Sequence, residues 1–330
     1  MRVVGFIILF LVIIYIGPRN IINNLLQVNI IYFIPAIFFS VLSIVFLCLR
    51  WKLILLAMGQ RDISFRTLFN ITLLGLLSNM VAPGRLGDIP VRAYFLKKRC
   101  NIPYSDGLAS TTTDRYIDIF SLFIFGFISV IIISKYIPFS QSSLHYIRAI
   151  SGVALISMLT LPAIIFSKYR IAIKLFGKIS KKTRFERYYL KMEKYIPKII
   201  SNLCKTLNKN NIIYVGLMTM IMWALFGISF YFYLLSFEQI YNFYAAFSGF
   251  FISYIVGLIS MIPGGYGTSD IGVVFILTRV GYSNAAVLNA SALLKIMNLI
   301  IMLILVIILS DKDDIYDIRS AGEILKTGDI

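Results

Sequence analysis

Two glycine/proline turns, each leading into a carboxylate, interrupt apolar stretches of the chain: Pro83-Gly84-Arg85-Leu86-Gly87-Asp88 and Pro263-Gly264-Gly265-Tyr266-Gly267-Thr268-Ser269-Asp270. Exposed backbone amides beside an arginine suit an oxyanion, because a guanidinium meets phosphate with paired donors. Gly84 and Gly87 permit backbone conformations closed to other residues and allow a ligand to approach closely. The competing role for Arg85 and Asp88 is an internal bridge that closes the turn. Arg92 shares a face with Asp88 if the segment between them is helical. Its alternative is to reach back to a membrane interface.

Asp114, Arg115 and Asp118 form a second candidate cluster, the two acids one helical turn apart. A spaced acid pair suggests a bound cation or a prenyl-transfer site. No second acidic cluster completes a two-metal centre, so no metal or cofactor is expected, and an interfacial capping network with Asp114 near a positive helix end is the alternative. Asp270 sits where it can cap the helix that follows its turn. Lys295 lies six residues into the last apolar run, where an unpaired charge costs about 3 kcal/mol. It therefore needs a carboxylate, and Asp270 is the best candidate.

The elements that position these groups are membrane helices. Hydrophobic residues make up 59% of 330 positions, with a mean hydropathy of +0.85, which excludes a soluble fold. Long runs without alternating polarity favour an all-α bundle over a barrel. Spans are expected at 3–16, 30–49, 116–133, 149–166, 212–235 and 290–309. The run at 3–16 follows Arg2 and resembles a signal peptide, but no small-residue cleavage site follows it, so it reads as a retained helix.

Residues 168–209 carry 13 lysines and arginines against 2 glutamates, most of the net charge of +17. The positive-inside rule accounts for this linker without nucleic acid and places it, with both termini, in the cytoplasm of a cell-membrane protein. Met192, Ile196, Ile199, Leu203 and Leu207 recur at helical spacing, with Lys191, Lys194, Lys198 and Lys205 largely elsewhere. That pattern suits an amphipathic helix on an anionic leaflet, with Pro197 as a possible kink. Cys48, Cys100 and Cys204 then lie near the cytoplasm as free thiols. The single His145 falls in a loop.

With the linker inside, both flanks of the first broken segment are basic and cytoplasmic. Residues 67–81 would enter and 89–96 would return, as a re-entrant hairpin. Residues 243–262 and 271–280 would form its counterpart from the opposite face, although 243–262 is long enough to span outright. The result is a single membrane domain: a first half (1–166), a cytoplasmic linker (167–211), a second half (212–309) and a short tail (310–330). Two broken segments in corresponding places point to an inverted repeat, the arrangement that marks a transport site.

These residues, read together, resemble the lysylphosphatidylglycerol synthase transmembrane region, or flippase-like, membrane protein family. The resemblance rests on Asn79 with Pro83 to Asp88, Arg92, Asp114 to Asp118, Pro263 to Gly267, Asp270 and Lys295. It implies a transporter or flippase that moves an anionic, aminoacylated or polyprenyl-linked lipid across the membrane by alternating access. Asn79, Arg85, Asp88, Arg92, Asp114, Arg115, Asp118, Asp270 and Lys295 would be its substrate-binding residues, and Gly84, Gly87, Gly264, Gly265 and Gly267 would shape the turns. The alternatives are a lipid or isoprenoid transferase using Asp114 and Asp118, and a non-catalytic partner of a separate lipid synthase or glycosyltransferase.

Family members often have Glu at the position of Asp270, Arg at Lys295 and a basic residue at Ser269. These departures shorten one reach and remove one bidentate donor, which alters head-group preference. The family's synthases also carry a soluble aminoacyl-transferase domain after the membrane part, whereas this chain ends soon after its last apolar run. That activity is therefore not expected. No Gly-x-x-x-x-Gly-Lys-Ser/Thr motif is present, and the sequence does not set the oligomeric state.

Overall fold

A computed structural model describes residues 28–60, 63–137, 152, 156, 186–206, 208–237 and 242–309. The expected span 3–16, nearly all of 149–166, the start of the basic linker, the His145 loop and the tail lie outside the described residues. Every described element is helical. The first group comprises α1 (Ile30–Ala57), α2 (Phe65–Asn79), a short turn of 3-10 helix (Pro83–Arg85), α3 (Asp88–Cys100) and α4 (Tyr104–Ile133). After α5 (Glu186–Thr206), the pattern recurs as α6 (Lys209–Leu235), α7 (Phe243–Ile259), a 3-10 turn (Pro263–Gly265), α8 (Thr268–Leu277) and α9 (Asn284–Leu309). Each group is thus a long helix, a broken pair and another long helix.

Among the described residues, four helices are long and apolar enough to cross a membrane: Ile30–Ala57, Tyr104–Ile133, Asn211–Leu235 and Asn284–Leu309. The arms of the broken pairs are short. At 1.5 Å per residue, α2 is about 22 Å long and α7 about 25 Å, against a hydrocarbon core of about 30 Å. The run expected at 243–262 is helical to Ile259, and the chain turns at Pro263–Gly265.

Two helices begin or end well beyond their apolar runs. α1 continues past Arg50 and Lys52 to Ala57, burying Arg50, Trp51, Ile54 and Leu55. α4 starts twelve residues ahead of the expected span, through a polar stretch. It tolerates that stretch because Ser110, Thr111 and Thr113 return their hydroxyls to carbonyls three or four residues back.

Buried side chains gather in two clusters. One contains Trp51 and Ile54 of α1, Leu68 and Ile71 of α2, Phe95 and Leu96 of α3, Val215 of α6 and Val306 of α9. The other contains Ala36 of α1, Tyr233 of α6, Ala245 and Phe251 of α7, Leu277 of α8 and Val287 of α9. The first broken pair packs in one cluster and the second in the other, while α1, α6 and α9 run through both.

α1 and α6 lie antiparallel. The Asn29 amide donates to the Ser236 carbonyl at 2.9 Å, and the Ser40 and Ser229 hydroxyls lie 2.7 Å apart. Ser229 also donates to the Ala36 carbonyl at 2.8 Å. Such small hydroxyl residues let helix backbones approach closely in an apolar environment.

α5, the described part of the linker, docks on the bundle. Asn202, Leu203 and Thr206 are buried, and Lys198 Nζ lies 2.7 Å from both Asp106 Oδ1 and Ser105 Oγ at the polar start of α4. Part of the face expected to meet lipid thus meets protein. The helix continues across Pro197.

Candidate functional site

Three arginines and three aspartates form a closed ring of alternating charge where α1, α3 and α4 meet. Arg50 Nε lies 2.8 Å from Asp114 Oδ1, and its Nη1 lies 3.2 Å from Asp118 Oδ1. Arg115 Nη1 takes the other Asp118 oxygen at 3.0 Å, and its Nη2 reaches Asp88 Oδ1 at 3.2 Å. Arg92 Nη1 closes the circuit to Asp88 Oδ2 at 3.4 Å and Asp114 Oδ2 at 2.8 Å. All six carboxylate oxygens are engaged, and the ring is neutral.

Burial makes that balance necessary. Arg50 is 1% exposed and Arg92 2%. An ionised group at such depth persists only when paired. Arg92 also stacks over the Trp51 ring at 3.7 Å from its centroid, and its side chain occupies the space beside Gly75. A Cβ at Gly75 would sit 2.7 Å from Arg92 Cδ and Cγ. Gly75→Ala is therefore expected to destabilise the protein by about 1–3 kcal/mol, measured as a lower unfolding midpoint of the purified protein.

The ring fixes the first turn. Asn79 Oδ1 accepts from the Asp88 amide at 2.9 Å, capping the start of α3. Arg115 donates through Nη2 to the Arg85 carbonyl. Arg85 itself takes a left-handed backbone conformation with φ 55°. Its side chain turns away from Asp88 and crosses to the second turn.

There the two turns meet. Arg85 Nη2 donates to the Gly264 carbonyl at 2.7 Å, and the guanidinium lies 4.0 Å from the Tyr254 ring centroid. Gly84 holds φ 62°, where a side chain is strained, and a Cβ there would push against Met261 Sδ at 2.7 Å. Gly264, Gly265 and Gly267 also hold positive φ, where a side chain is strained. Gly87 has ordinary helical angles; it is small because a Cβ would meet the Ser78 carbonyl oxygen at 2.7 Å.

At this junction lies a cavity of about 150 Å³ lined by both turns and by α1, α2, α6, α7 and α9. Its walls include Asn79, Arg85, Tyr254, Tyr266, Lys295 and Asn298. Lys295 Nζ lies 2.6 Å from Asp270 Oδ1 and donates to Ser269 Oγ at 2.8 Å. Asp270 Oδ2 accepts from the Gly267 amide at 2.9 Å, so the acid both caps α8 and balances Lys295. Among the described residues Arg85 has no carboxylate partner.

The sequence-predicted residues therefore fall into two groups. Asp88, Arg92, Asp114, Arg115 and Asp118 belong to the ring, and Arg85, Asp270 and Lys295 to the junction, with Asn79 touching both. The Arg85–Asp88 bridge is absent, and Arg92 is buried in the ring, not extended to an interface. Asp114 and Asp118 bind guanidinium groups; among the described residues no group of three His, Cys, Asp or Glu is placed to hold a metal ion.

Arg50 and Asn298 were missed. Charge counting signals Arg50, since three acids near two arginines require a third cation. Asn298 is signalled as a further polar side chain one turn after Lys295 in the last apolar run.

The Lysylphosphatidylglycerol synthase TM region family model matches residues 2–305. A UPF0104 membrane protein of Methanocaldococcus jannaschii is 26% identical over 278 residues, covering 81% of this chain and 80% of that one. A UPF0104 membrane protein of Methanothermobacter thermautotrophicus is 25% identical over 277 residues, 81% of each chain. A shorter segment of 114 residues is 32% identical to the glycosyltransferase AglD of Haloferax volcanii, 34% of this chain and 18% of that protein.

Proposed function

The chain belongs to the lysylphosphatidylglycerol synthase TM region family, and from that premise we propose that it binds the anionic head group of a membrane lipid at the turn junction and moves it across the bilayer. The observation that carries this reading is the meeting of two broken-helix turns around a cavity with one carboxylate-free arginine, Arg85. The short arms, the clustering of the two pairs in different cores and the antiparallel α1 and α6 support an inverted pair of re-entrant hairpins. In that arrangement the junction sits near midplane and the halves rock about it. The basic linker faces the cytoplasm, where its lysines meet anionic lipid. A second reading of the cargo is a polyprenyl-linked lipid, and the segment shared with a glycosyltransferase supports its being handled alongside a separate transferase.

Movement of acyl-chain-labelled lipids in proteoliposomes tests the proposal. The wild type is expected to move anionic lipids selectively. Asp270→Asn leaves Lys295 without its counter-charge, and the rate is expected to fall at least tenfold at equal protein insertion. Folded wild-type protein that moves no lipid of any class would overturn transport in favour of a partner role.

A further inference from the structure

α9 presents Ser291, Leu294, Lys295, Asn298 and Met302 to the junction cavity, a stripe at helical spacings of three and four. Lys295 is committed to Asp270 and Ser269. Asn298 follows one turn later, and among the described residues its buried Oδ1 has no hydrogen-bond partner. An unpaired buried acceptor is unfavourable, and an amide in this apolar helix needs a reason to be there. The same cavity wall holds Arg85. With Lys295 and Asp270 neutralising each other, the cavity carries one net positive charge.

One monoanion balances that charge, and one hydrogen-bond donor satisfies Asn298. A phosphodiester bearing a hydroxylated head group supplies both. We propose that Asn298 determines head-group specificity, its Oδ1 accepting a hydrogen bond from a head-group hydroxyl while Arg85 holds the phosphodiester. This deepens the reading of the junction as a lipid site and rests on it. A site built to hydrogen-bond a hydroxyl strongly rejects the analogue that lacks it, because its own polar atom is then left buried and unpaired.

The test compares two lipids of equal charge and identical acyl chains, phosphatidylglycerol and phosphatidylpropanol, which differ only in head-group hydroxyls. Equilibrium binding to the full-length protein in detergent is expected to favour phosphatidylglycerol at least tenfold. Asn298→Leu, of similar size, is expected to bring the ratio near one by weakening phosphatidylglycerol alone. Unchanged phosphatidylpropanol affinity would show that the cavity is intact. Asn298→Ala removes the amide without adding bulk and is expected to behave the same way.

Equal wild-type affinities, or a ratio that survives both substitutions, would overturn the assignment. Failure of the folded wild type to bind either lipid would overturn both the assignment and the lipid-site reading beneath it. A wild type that shows the preference, lost on substitution, but moves no lipid would keep the Asn298 assignment and remove transport.

Discussion

Asp114→Asn is expected to destabilise the protein by about 3–5 kcal/mol, the usual cost of removing one partner from a buried ion pair. Asp114 gives one oxygen to Arg50 and the other to Arg92, both at 2.8 Å. An asparagine accepts from one of them and points its own NH2 group at the other. The ring would be left with three cations and two anions, at residues no more than 2% exposed for both arginines.

Arg50→Met is expected to be comparably harmful, for the opposite sign of imbalance. The double variant is the informative one. Without Arg50 and Asp114, the remaining groups still alternate as Arg92, Asp88, Arg115 and Asp118, each with a partner and with no net charge. The two losses should therefore be non-additive by about 0.5–3 kcal/mol, the range for directly coupled residues. Chemical or thermal unfolding of the purified variants in detergent reads this directly. Simple additivity would mean that the ring is not a coupled unit.

The ring also explains what could and could not be read from the sequence. Spacing alone placed Asp88 with Arg92, and Asp114 with Asp118, on common helix faces, because four residues make one turn. Spacing cannot say which face meets which, so closure of the circuit through Arg50 was hidden. Arg50 lies just past the expected span 30–49, but the helix continues to Ala57 since Trp51, Ile54 and Leu55 bury against the first broken pair. The polar start of α4 was lost for a related reason, as its hydroxyls are satisfied within the helix and need no solvent.

The broken turns themselves were legible, because Gly and Pro in an apolar segment have few other uses. Their meeting was not. It depends on Arg85 reaching a backbone carbonyl 179 positions away, and a carbonyl leaves no mark on composition or periodicity. The partner of Lys295 was legible for an electrostatic reason: a lysine in a membrane helix needs an acid, and only a few acids lie outside the tail and the linker.

Arg85→Ala is expected to reduce lipid binding and movement by about 30- to 100-fold, which corresponds to losing charge-assisted hydrogen bonds of about 2–3 kcal/mol. Its effect on folding should be smaller than that of Asp114→Asn. In the unliganded protein the guanidinium makes one hydrogen bond to Gly264 and one stacking contact with Tyr254, and removing it leaves no buried carboxylate without a counter-charge. Arg85→Lys keeps the charge but not the paired donors, so it should fall between wild type and alanine.

The comparison with Asp114→Asn separates two roles. Breaking the ring loosens the Arg115 contact that holds the Arg85 backbone, so stability and transport should fall together. Removing the Arg85 side chain should remove transport while leaving most of the stability. Unfolding midpoints and lipid movement measured on the same preparations decide the matter. Wild-type movement by a folded Arg85→Ala protein would take the head group out of the junction and return the ring, as the larger charged cluster, to consideration as the binding site.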